Sequence, residues 1–290
     1  MNKFINYLKQ QAYSNQTIQG TERKAKHYLR WLSKENIEPN EVIKSDVMGY
    51  IQHRRRKGIN APNLRNYLNA IRIYYNYLLD NQEIDKHPIP KIEIKGERSY
   101  QLYHILEPTE LNALYNSLKS ETELERRNKA IAGILIYQGV TTGEIQKLEL
   151  NDLDLRKGEI EIPETKKSNG RILTLEPSQL IELYEYVNQV RAAILERKRE
   201  PTNKLFINFY RGNQLETAFT EIHKRLKECN PRLKSLRHLR ASVIVKWLRQ
   251  YNLRQTQYFA GHRFISSTER YQQSEMQGLT EEINQFHPLG

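Results

Sequence analysis

The chain has 290 residues, 38% hydrophobic and 28% charged, enough for one large domain or two ordinary ones. Lysine and arginine outnumber aspartate and glutamate by 46 to 34, a formal charge of +12, which points to a polyanionic partner, nucleic acid first. Cys229 is the single cysteine, which excludes an intramolecular disulfide and argues against a zinc site of the usual cysteine-histidine kind, and no apolar run nears the roughly 20 residues of a membrane span.

Residues 1 to about 85 read as four short helices. Phe4, Ile5 and Leu8 mark the first, an amphipathic start unlike a signal peptide. Ala25, Tyr28, Leu29 and Leu32 mark the second. Ser45 is the expected N-cap of a third, with Val47, Tyr50 and Ile51 inside. Leu64, Tyr67, Leu68, Ile71, Tyr75 and Leu78 stripe the fourth. Arg54, Arg55, Arg56 and Lys57 after the third helix, with Arg65 and Arg72 on the fourth, make basic outer faces suited to nucleic acid. The prolines, glycine and alternating charge between His87 and Gly96 suggest an exposed linker, residues 89–106 in all.

Pro108 opens a mostly helical second part with one small sheet. Ala130 to Tyr137 is nearly all apolar and reads as a buried helix. Glu159 to Ile162 and Arg171 to Leu175 alternate as strands do, around a turn at Lys166 to Gly170. Helices are expected at Leu180–Ile194, Phe219–Leu226, Leu236–Leu248 and Leu253–Phe259.

Several residues have the chemistry to handle phosphate. Lys234 and Arg237 are three apart, with His238 next, and share a helix face if helical. Such cations stabilise the charge that grows on a phosphodiester in its transition state. Gly261 suits a left-handed helix stop and holds His262 beyond it. Ser266, Ser267 and Thr268 are candidate N-caps for a short helix carrying Tyr271. A phenol attacks poorly unless cations depress its pKa or a base takes its proton, and Arg237 and His262 are expected to be the cations. Lys166, in the hairpin turn, is placed to protonate a departing oxygen, with Lys167 an equally reachable neighbour. Taken singly, each of these is more often a solvated or packing residue.

The ordered set resembles the tyrosine recombinases, the phage-integrase and Xer-like family, over nearly the whole chain. Lys234 and Arg237 resemble the family's His-or-Lys, x, x, Arg element, and His262 and Tyr271 its closing histidine and nucleophile. Lys166 resembles the hairpin lysine, and Leu106 to Leu111 the opening of the catalytic domain. The resemblance implies a mainly α fold with a small β-sheet, in two domains. A helical SAM-like core-binding domain would occupy residues 1–88 and a mixed α/β catalytic domain residues 107–275. A tail, 276–290, with Met276, Leu279, Ile283 and Phe286, would be placed to dock on a neighbouring protomer or fold back on its own domain. The implied activity is site-specific cutting and rejoining of double-stranded DNA through a 3′-phosphotyrosyl link, by a cytoplasmic protein that needs no cofactor or metal. The two domains would close as a clamp on duplex DNA. A tetramer would form on paired sites, with a monomer or dimer in the absence of DNA. Tyr271 would attack, Arg237, His262 and Lys234 would stabilise the phosphorane-like charge, and Lys166 would act as the acid.

One position departs from the pattern. Thr141, in the segment Gln138 to Ile145, falls where the family carries its first catalytic arginine, while Gly139 and Glu144 align. Threonine cannot supply a charged, two-pronged contact. Arg126, Arg127 and Lys167 are the candidate compensating cations. The alternative is a catalytically weak relative that binds DNA as an accessory or regulatory protein. A conventional transcription factor leaves the Lys166 hairpin unexplained, and a relaxing topoisomerase would share the chemistry.

Overall fold

The computed structural model describes residues 1–89, 92–95, 105–198, 201–209 and 215–273. Most of the expected linker, and all of the expected tail with Met276, Leu279, Ile283 and Phe286, lie outside the described residues. The chain divides into two compact units, residues 1–99 and 100–290.

The first unit is built of α1 (Asn2–Gln10), α2 (Asn15–Lys34), α3 (Lys44–Arg56) and α4 (Ala61–Asp80). Ser14 and Asn60 cap α2 and α4 by accepting backbone amides in the first turn. At α3 the expected cap is displaced. Ile43 holds the extended N-cap position, and the Asp46 carboxylate reaches back to its amide at 2.9 Å, so Ser45 lies inside the helix. The apolar stripes meet in an aromatic core of Phe4, Tyr28, Tyr50 and Tyr75, with the Tyr28 and Tyr75 hydroxyls bonded to each other at 3.1 Å.

The second unit begins with α5 (Pro108–Asn116), α6 (Glu123–Tyr137) and the single-turn α7 (Thr142–Ile145). Thr122 and Glu125 form a reciprocal cap on α6, whose residues Ala130–Ile136 are all buried. Then β1 (Leu153–Asp154), β2 (Glu159–Ile162) and β3 (Arg171–Thr174) form an antiparallel meander in that order. Ile160 pairs with Leu173 and Ile162 with Arg171, and these four side chains share the buried face. The helix expected over Leu180–Ile194 runs as α8 (Pro177–Glu185), a π-helical turn (Tyr186–Arg191) and α9 (Ala192–Lys198). The unit closes with α10 (Glu216–Cys229), α11 (Leu236–Gln250), α12 (Leu253–Ala260) and helical residues 265–273. Among the described residues, no helix is long and apolar enough to cross a membrane.

Candidate active site

A buried polar brace sits beneath the site. Gly139 turns the chain after α6 with φ +56°, a conformation that favours glycine. Thr141 then caps α7. Its hydroxyl donates to Glu144 Oε2 at 2.8 Å, and its amide donates to the same oxygen at 2.9 Å. The other carboxylate oxygen, Oε1, accepts from Arg171 Nη1 at 2.8 Å. Burial opposes the Glu144 charge, but the hydrogen bonds from Arg171 and Thr141 outweigh it and hold the carboxyl at about 2. The Arg171 side chain has no exposure, and its Nε and Nη2 find no hydrogen-bond partner among the described residues.

The same arginine selects glycine at the end of α12. Gly261 has φ +65° and ψ 27°, the expected left-handed stop. A β-carbon there would lie 2.9 Å from Arg171 Cζ and collide with its Nη1. This close approach lets the β2–β3 hairpin seat against the Gly261 turn. Asn169 N–H donates to Gly261 O at 2.9 Å, and Ser168 pairs with His262 in an isolated antiparallel bridge. Arg263 reaches back to Glu164 Oε1 at 2.6 Å and Thr165 O at 2.8 Å. Thr165 Oγ1 accepts the amides of Lys167 and Ser168, tightening the turn that puts Lys166 and Lys167 at the exposed tip.

His262 and Tyr271 face each other across this turn. Their rings stack with centroids 5.8 Å apart and planes within 9°. Residues 265–273 are already helical, so Ser266, Ser267 and Thr268 lie within the helix rather than capping it. Thr268 is buried, and its hydroxyl pairs with His262 Nδ1 at 2.9 Å. Burial first, then the Arg240 and Arg171 guanidiniums, push the His262 pKa down to about 4. The imidazole is therefore neutral at pH 7, which corrects its expected part as a second cation beside the phenol.

A cleft of about 370 Å³ opens in front of Tyr271. Thr141, Thr142, Arg237, Arg240 and Tyr271 give it a polar rim over Leu135, Val140 and Leu236. Arg237 is exposed on the first turn of α11. Ser235 caps that helix by accepting His238 N–H at 3.2 Å, so Lys234 precedes the helix and does not share its face. Lys234 is exposed, and its amide donates to His238 Nδ1 at 3.3 Å, while the His238 ring is buried under α11.

The sequence matches the phage integrase family over residues 104–278 and the N-terminal SAM-like domain of phage integrases over residues 1–82. The chain belongs to the phage integrase family. Tyrosine recombinase XerD of Listeria monocytogenes is 25% identical over 98% of this chain and 97% of its own length. Tyrosine recombinase XerC of Bacillus pumilus is 24% identical over 98% and 95%. Among solved structures, the fold is shared with the XerH site-specific recombinase bound to its palindromic difH substrate, at TM-score 0.72 and 19% identity over 91% of this chain and 78% of that one. It is also shared with a lambda integrase dimer bound to a core site, at TM-score 0.65 and 11% identity over 93% of each chain.

Within this phage integrase fold, two of the expected compensating cations point elsewhere. Arg126 is bonded to Ser120 O, Glu185 and Gln189 on the outside of α6. Arg127 is buried against Ile207 O, Asn208 and Asn128, with its guanidinium over the Phe209 ring. Lys167 stays at the hairpin tip. Besides Arg237, a second arginine lines the cleft with Thr141: Arg240, which the sequence pattern did not single out. Its signal was present as a lone charge in the apolar run Leu239–Val245, three residues after Arg237. In the first unit Arg55, Arg56 and Lys57 are exposed. Arg54 instead bonds His27 and Tyr67, Arg65 holds Ile94 O at 3.1 Å, and Arg72 holds Ile92 O.

Proposed function

We propose that this chain is a site-specific DNA recombinase that cuts and rejoins duplex DNA through a 3′-phosphotyrosyl link to Tyr271. The observation that supports this reading is the cleft lined by both Tyr271 and Arg237, with the neutral His262 ring stacked on the tyrosine. The Tyr271 oxygen forms a bond to phosphorus, and the bond from phosphorus to the 5′ oxygen breaks. The phenolic proton passes to the His262 imidazole, and Lys166 at the hairpin tip gives a proton to the departing 5′ oxygen. Arg237 neutralises the non-bridging oxygens as charge develops on them, and Lys234, exposed just ahead of the α11 cap, is the further cation assigned to that charge. The 5′ hydroxyl of a partner strand reverses the step. Bond energy is kept in the phosphotyrosine, so no nucleotide is consumed.

Duplex DNA is the partner in this reading. The exposed Arg55, Arg56 and Lys57 contact backbone phosphates, which supply affinity without base information. Arg54, Arg65 and Arg72 shape the first unit through the bonds described above. Strand exchange between two sites takes four protomers, assembled on paired DNA from monomers or dimers. A cytoplasmic location follows from such a substrate, and movement of a mobile element is the natural use of the reaction.

The test is a duplex nicked beside the cleavage position, so that a short fragment diffuses away and traps the covalent intermediate. A site is first recovered by covalent capture from random-sequence DNA. Wild-type protein is expected to form a denaturation-resistant adduct, and Tyr271→Phe none. Binding without any adduct would favour the accessory-protein alternative, for which the loss of arginine at Thr141 is the specific argument.

A further inference from the structure

The strand-transfer reading leaves a gap on one side of the phosphate. Thr141 stands where an arginine is expected, and its hydroxyl is committed to Glu144. Arg240 approaches the same space from α11. It lies three residues beyond Arg237, on the same helix face. Nη1 donates to Gly139 O at 2.5 Å and Nη2 to Ala260 O at 2.6 Å. Gly139 is two residues before Thr141, and Ala260 is two before His262. The guanidinium therefore sits between the loop that lost its arginine and the turn that carries the histidine. Arg240 and Tyr271 line the same cleft.

Arg240 is only 9% exposed, yet among the described residues no carboxylate pairs with it. Glu144, the acid of this brace, bonds Arg171 and Thr141. The hydrogen-bond acceptors of Arg240 are the neutral carbonyls of Gly139 and Ala260, and the Glu144 charge that favours it through space is already bonded to Arg171 and Thr141, so Arg240 has no ion pair of its own and an arriving anion would stabilise it. Arg171 is the other buried guanidinium here, but it has its carboxylate and no exposed surface. Arg240 lines the cleft.

The geometry points to Arg240 as a catalytic residue that grips a non-bridging oxygen of the scissile phosphate from a helix, taking over the contact Thr141 cannot make. The assignment rests on the strand-transfer reading, and the two are separable by experiment. Full-length wild type, Arg240→Ala and Arg240→Lys are compared on the captured duplex with its natural phosphate and with a methylphosphonate at the scissile position. The methylphosphonate carries no charge for a guanidinium to neutralise. On phosphate, Arg240→Ala is expected to slow adduct formation by about 10²–10³-fold, the usual cost of one transition-state donor. On methylphosphonate the deficit should shrink below about tenfold, since the group it serves is gone. Affinity for the duplex should change little, because many contacts share it. Arg240→Lys, which keeps the charge without the fork, should fall between, and it supplies the same ratio if Arg240→Ala does not fold. Wild-type rates in Arg240→Ala, or equal deficits on both substrates in the folded variant, would overturn the assignment while leaving strand transfer intact. No adduct from wild type on the natural phosphate would overturn both.

Discussion

At the scale of single residues, the site depends on one close approach. Arg171 occupies the space a side chain at position 261 would need, and Gly261 has φ +65°. Gly261→Ala combines left-handed strain with overpacking and should cost about 2–4 kcal/mol. A denaturation midpoint unchanged from wild type would refute that close packing. His262 gives a pH prediction. Its folded pKa of about 4 lies below the ordinary histidine value of about 6.5, so between these limits the unfolded chain binds more protons. Its contribution to stability is whole above about pH 6.5 and is lost as pH falls towards about 4. Wild type should therefore lose more stability than His262→Gln across that window, and parallel curves would contradict it. Tyr271, Arg237 and His262 stood out in the sequence only as an ordered set, and the structure stacks His262 on Tyr271 and lines one cleft with Tyr271 and Arg237. Arg240 was not legible as a site residue, since its acceptors come from 101 and 20 residues away. Its charge marked an anomaly in an apolar run without saying what it touched.

At the scale of elements, periodicity exposed most helices and the β2–β3 hairpin, because each buries a face of regular spacing. Caps were less legible. A serine looked like the start of α3, but Asp46 reaches back across the turn to Ile43 instead. Lys234 looked helical until Ser235 proved to be the cap. The parity of β3 carried an unused signal. Arg171 shares its face with Leu173 and so had to point inward, where Glu144 meets it. The hairpin itself acts as a stiff arm. Asn169, Ser168 and Arg263 tie it to the Gly261 turn, which holds Lys166 near His262 by backbone connection. If Lys166 protonates the leaving oxygen, Lys166→Ala should slow cleavage by about 10²–10⁴-fold, while Lys167→Ala stays near wild type. Replacing the 5′ bridging oxygen with sulfur, which leaves without a proton, should restore most of the loss. A deficit that persists with sulfur would remove Lys166 from that step.

At the scale of the whole molecule, the formal charge of +12 suits a polyanion but names none. Each unit has its own apolar core, and each matches its own part of the family. What joined the charge to a reaction was the order of a few residues over the last third of the chain, together with the hairpin that packs onto them. The reaction turns on one oxygen atom, which can be located chemically. Wild-type protein is trapped on the nicked duplex, digested with trypsin, and the nucleotide-bearing peptide is mapped by mass spectrometry. The expected result is a 3′-phosphate on Tyr271, the first residue after the tryptic site at Arg270. A phosphate on serine or on another tyrosine, or no linkage from protein that binds the same duplex, would contradict it.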